Sequence, residues 1–136
     1  MTDVSQAQRD WTAIIGAKLY PASVKLSDAL YESADWSTVP PAYRPLPVEV
    51  EDLGAPIANA LAWSLASDEL KGIRDKPAED PRDEADAVAT IVLPRITMPA
   101  SGTTAYAAWG TAARPMTKAL WVKLREYLDA NSPDLA

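Results

Sequence analysis

The chain has no histidine, no cysteine and no phenylalanine, and only five glycines in 136 residues. Each absence removes something. Without histidine the side chain that most often serves as a general base and metal ligand near neutral pH is missing. Without cysteine there is no disulfide, no thiolate metal site and no sulfur nucleophile. Few glycines leave no Gly-rich turn between a strand and a helix to cradle a dinucleotide, and no G-x-x-x-x-G-K-[ST] phosphate loop occurs anywhere. There is no G-x-S-x-G elbow and no S-x-x-K pair. The sequence therefore points to no catalytic residue, no cofactor and no metal site.

Long apolar runs are also missing, so no membrane span is expected. The first ten residues are polar and lack the apolar core of a secretory signal. A formal net charge of −6 repels a phosphate backbone and an anionic lipid surface alike. The expectation is a chain that binds neither nucleic acid nor membrane. It would work in the cytoplasm or in a particle assembled there.

What is present suits one domain over residues 1–136. Apolar residues make up 48% of the chain, but many are alanine, which buries little area. Leu, Ile, Val and five Trp must fill the core, a composition that favours closely packed helices.

Periodicity predicts a helix over about residues 3–19, with Asp3 as its cap and Pro21 closing it. Its stripe is Val4, Ala7, Trp11, Ile14 and Ile15. A weaker helix is expected from residue 23 or 27 to 34. A strong one is expected over 55–71, with Ile57, Leu61 and Leu65 on one face, Ala58, Ala62 and Ala66 beside them, and Gly72 past its end. The last runs over 114–130, with Pro115 in its first turn and Met116, Leu120, Leu124 and Leu128 as its buried stripe. Arg125, four residues after Trp121, is placed to cover the indole ring.

Between these lie segments of other character. Residues 36–52 carry Pro40, Pro41, Pro45 and Pro47 and read as an extended arm, ending in an acidic edge strand over 48–51. Residues 74–86 hold nine charges and two prolines and read as an exposed loop. Residues 87–93, AVATIVL, read as a strand ended by Pro94 and continued past a bend over 95–98. Residues 99–110 read as a loop, and 132–136 as a frayed tail. The expected fold class is thus α+β, mainly α: about three amphipathic helices, a small β element and long Pro-rich extended segments.

Asp83–Glu84–Ala85–Asp86 spell the acidic signature of ATP-driven helicases, where it follows a buried strand. Here the charged segment precedes the apolar run, and the phosphate loop is missing. The reading is a solvated acidic loop, with cation binding by these acids plus Glu79 and Asp80 as a weaker alternative because no Gly-turned ligand loop is present. Ser101–Thr104 reads as turn chemistry.

Trp36 and Trp109 fall in irregular segments, where a tryptophan anchors either its own domain or a neighbour. With Pro40, Pro41, Tyr43, Leu46 and Tyr106 they are the candidate partner contacts. Extended arms need backbone partners, which β-addition to a neighbouring chain supplies. The functional expectation is a non-enzymatic structural or assembly subunit that packs against copies of itself or other subunits. A bacteriophage virion component of the capsid or head–tail connector type is the model. The alternative is a monomeric acidic binding protein, an inhibitor or adaptor, docking on a basic partner. A small carboxylate-dependent enzyme is a third reading.

Overall fold

Alanine and leucine carry the highest helix propensity, and they dominate the stretches between the prolines. The computed structural model describes residues 6–65, 67–76 and 79–131. Its elements in order are α1 (Gln6–Ser33), 3₁₀ turns at Trp36–Thr38 and Pro41–Tyr43, and α2 (Pro47–Glu51). They continue with α3 (Gly54–Ser64), α4 (Asp68–Asp75), α5 (Pro81–Val92), a 3₁₀ turn at Leu93–Arg95, and α6 (Thr104–Asn131). Among the described residues there is no strand, so the fold is mainly α and the expected β element is absent. The expected cap at Asp3 and the tail at 132–136 lie outside the described residues, as do Ala66 and the packing of Trp11.

The strand expected at 87–93 is the second half of α5, with Leu93 opening the 3₁₀ turn that follows. The decisive signal lies upstream, in Asp80–Pro81. The Asp80 carboxylate accepts the Arg82 N–H at 2.9 Å, and Pro81 occupies the first helical position, where its missing N–H costs nothing. With that start, Ala85, Val88, Ala89 and Val92 fall at helical spacing and are buried. A short apolar run does not by itself distinguish a strand from a buried helix segment.

Two helices run through a proline. α1 continues past Pro21 and absorbs the separate helix expected at residues 23 to 34. α6 starts ten residues before its expected first turn and passes Pro115. An internal proline removes one hydrogen bond and crowds the preceding turn, at about 3 kcal/mol. Packing on both sides of the break offsets that cost. On α1, Ile15, Leu19, Ser23 and Ser27 recur every four residues and are buried. On α6, Ala108, Ala112 and Ala113 precede Pro115, and Met116, Leu120 and Leu124 follow it, all buried. Thr103 starts α6, its hydroxyl accepting the Tyr106 N–H at 3.1 Å.

The helix expected at 55–71 is two helices. Ser67 caps α4 by accepting the Leu70 N–H, and Asp68 and Glu69 fill its first turn, favourable at a helix N-terminus. The break is closed by arginines. Arg74 donates to the Leu65 carbonyl at 3.3 Å, and Arg95 donates to Ser64 Oγ at 3.1 Å and pairs with Glu69.

α6 is the central element, touching α1, α2, α3 and α5, while α4 lies on α5 and α1 lies on α2 and α3. Gly54 allows the closest approach. A Cβ there would lie 2.2 Å from Ser23 Oγ and 2.7 Å from Ser23 Cβ, so the start of α3 reaches α1 only without a side chain.

Candidate protein-contact surface

The structure divides the residues singled out by the sequence into two groups. The first is internal. Glu84, expected in a solvated loop, is 6% exposed and sits in the first turn of α5. It accepts the Trp121 indole N–H at 2.9 Å and the Arg125 guanidinium at 2.9 Å. Arg125 also donates to the Arg74 and Ile73 carbonyls at 2.8 and 2.9 Å, and lies 5.2 Å from the Trp121 ring centroid, the stacking expected from their spacing. One guanidinium thus joins the end of α4, the start of α5 and the last third of α6. Among the described residues no buried side-chain polar atom lacks a partner.

Two other acids of that run are separately employed. Asp86 pairs with Arg114 at 2.7 Å, and this hydrogen bond to the guanidinium holds its carboxyl below the ordinary 3.8. Asp80 caps α5. Among the described residues no three His, Cys, Asp or Glu side chains are grouped to hold a metal ion. The Glu84 network is scaffolding, and its acids do not converge on a shared point.

The second group is the set of proposed contact residues. The arm is neither extended nor β. It folds into two 3₁₀ turns and α2, and its backbone bonds close locally: Val39 N–H to the Trp36 carbonyl, Tyr43 to Pro40, Arg44 to Pro41 and Glu49 to Leu46. Proline accounts for this, because its fixed φ suits such turns and helix starts as well as polyproline II. β-Addition is therefore not required to satisfy these groups.

Trp36 turns inward. Its indole donates to the Tyr31 carbonyl at 2.9 Å, its ring stands 5.4 Å from that of Tyr31, and the Tyr31 hydroxyl donates to the Pro45 carbonyl at 3.0 Å. Trp36 anchors its own chain. Pro40 and Pro41 are exposed at the turns. Tyr43, Leu46 and Tyr106 are large side chains facing solvent, Leu46 at 64% exposure. Trp109 is half-buried on α6 rather than in a loop.

The arm and the region after residue 99 meet. Thr104 Oγ1 donates to Glu49 Oε2 at 2.6 Å, while Glu49 Oε1 accepts the Leu46 N–H at 3.0 Å. The Thr104 bond, then the Leu46 bond, holds the Glu49 carboxyl below its ordinary 4.5. One carboxylate so fixes α2 to the start of α6. Two shallow grooves flank this junction and share Ile96 and Trp109 as a common wall. One, of about 240 Å³, reaches Glu49, Leu53 and Pro99; the other, of about 470 Å³, reaches Leu93, Met98 and Arg114.

Sequence reasoning missed Val48 and Met98, which are 52% and 53% exposed. The sequence places Val48 in the edge strand over 48–51 and Met98 in the continuation, over 95–98, of the strand expected at 87–93. Once residues 47–51 are helical, Val48 and Asp52 stand four apart on one outward face, while Val50 turns to the core. Among the described residues no helix is long and apolar enough to cross a membrane. No family model, no curated protein and no solved structure matches the chain.

Proposed function

We propose that this protein is a non-enzymatic assembly subunit that acts through protein–protein contacts at the surface built by residues 43–48, Met98, Tyr106 and Trp109. The carrying observation is that two segments some sixty residues apart are pinned together by Glu49 and Thr104, yet direct Tyr43, Leu46, Val48, Met98 and Tyr106 outward. Single exposed apolar residues are ordinary; several on two joined segments, with Met98 in the wall of a groove, support a contact surface. Its partners are copies of the same chain or other subunits of one assembly. A particle built in the cytoplasm, such as a bacteriophage capsid or connector, is the setting this reading favours. The contacts are made by side chains, because the local turns already use the arm's backbone groups.

Light scattering after size exclusion, over a range of concentrations, tests this. The wild type is expected to associate, and a Leu46→Asp/Val48→Asp variant to run as a monomer with unchanged helical circular dichroism. A variant that associates like the wild type would remove this surface from the assembly. A wild type that stays monomeric throughout, and binds a basic partner in a salt-sensitive way, would make the chain an acidic adaptor instead.

A further inference from the structure

A third groove, of about 460 Å³, lies between α5 and the middle of α6. Its floor is apolar, with Ala85, Ala119 and Val122, and its charged lining residues are Arg82, Arg114 and Lys118, with no carboxylate among them. Arg82 pairs with Asp80, and Arg114 with Asp86, which Lys118 also approaches at 3.9 Å. The lining itself thus carries three cations on a chain of net charge −6.

α2 has the opposite chemistry. Val48 is exposed, Asp52 follows it by one turn and is also exposed, and Glu51 and Leu46 flank them. The result is a convex apolar knob rimmed by carboxylates. Five helical residues span about 7.5 Å, and the groove runs along α6 from Arg114 to Val122, about 12 Å, so the knob fits its length. A chain cannot fill its own groove in this way. α2 is tied to α6 at Thr104, and the groove begins at Arg114, ten residues or about 15 Å further along the same helix.

We infer that the groove between α5 and α6 receives the α2 knob of a second copy of this chain, giving a head-to-tail contact in which two different surfaces pair. This rests on the assembly reading above and specifies what the α2 surface meets. The exposed Asp52 and the half-buried Glu51 meet Arg82 and Lys118, while Leu46 and Val48 cover the Ala–Val floor. Such heterologous contacts repeat, and close into a ring or extend as a filament according to the rotation per copy.

The test uses two full-length variants: one with the groove reversed, Arg82→Glu/Lys118→Glu, and one with the knob spoiled, Leu46→Asp/Val48→Asp. Arg114 is left in place to keep its pair with Asp86. Each variant alone is expected to be monomeric, with half-association raised roughly 100-fold or more, since like charges then face each other or the apolar contact is lost. Mixed, they retain one intact knob and one intact groove, and are expected to form a 1:1 dimer that grows no further. If the groove variant assembles like the wild type while the knob variant does not, the groove inference fails and the assembly reading stands. If both variants assemble normally, both fail. Two monomeric variants that do not pair on mixing would show a two-fold contact and overturn the head-to-tail arrangement. A wild type that is monomeric at all concentrations overturns it as well.

Discussion

The two ends of α6 are finished in opposite ways. At its C-terminal end, Trp121 and Arg125 reach into a largely buried junction, and Glu84, Ile73 and Arg74 supply a partner for each of their side-chain nitrogens. At its N-terminal end, a part-buried hydrogen bond from Thr104 helps tie down α2, and apolar side chains remain in water. One end uses polar groups to specify how three helices meet. The other leaves packing capacity unspent. The contrast separates what this fold needs for itself from what it has available for a neighbour.

The largest test of that contrast is at the closed end. Arg125→Met leaves Glu84 buried without its cation, and a loss of about 3–5 kcal/mol is expected in urea unfolding. Adding Glu84→Gln should recover part of it, because the unpaired charge is then gone. No recovery would mean that the guanidinium matters mainly through its packing on Trp121 and its carbonyl bonds to α4.

Gly54→Ala sharpens the comparison from the α1–α3 side. The new methyl meets Ser23, and a destabilisation of about 1–3 kcal/mol is expected from overpacking. Ser23→Gly in the same chain should relieve part of it, less the roughly 1 kcal/mol that glycine costs inside a helix. A neutral Gly54→Ala would show that α3 can withdraw from α1 without loss.

The open end should respond weakly. Thr104→Val is expected to cost about 1 kcal/mol, because the bond to Glu49 is only part-buried. Its pH dependence has a fixed sign. The folded Glu49 carboxyl titrates below its ordinary 4.5, so the tie contributes fully above that value and is lost as pH falls through the lower folded value. Unfolding curves of wild type and Thr104→Val should therefore converge in acid and differ at neutral pH. A difference that persists below the folded value would assign it to packing.

The smallest effect on stability belongs to the knob. Leu46→Asp/Val48→Asp removes side chains that touch mostly water, and a change within about 0.5 kcal/mol per site is expected. Loss of folding, instead of loss of association alone, would move these residues from the surface for neighbours into the core.

Much of the helical content could be read from the chain. Ile57, Leu61 and Leu65, and Met116, Leu120, Leu124 and Leu128, are buried as their spacing requires, because a helix with an apolar stripe gains most by covering it. The stacking of Arg125 on Trp121 was equally legible, since residues four apart on a helix are neighbours whatever surrounds them. Tyr43, Leu46 and Tyr106 stand outward, whereas Trp36 turns inward because its indole found a carbonyl on its own chain.

Local composition determined that these residues form helices, where two of them begin at Ser67 and Asp80, and which stripes they hide. It did not determine what a proline does. Pro21 and Pro115 end a helix in isolation, yet here both are carried through, since packing on either side recovers more than one lost hydrogen bond. Nor did it decide the fate of Glu84. A carboxylate in a run of charges belongs in water unless a guanidinium and an indole N–H from elsewhere meet it. Those partners are Arg125 and Trp121, some forty residues away, and only the tertiary structure brings them there.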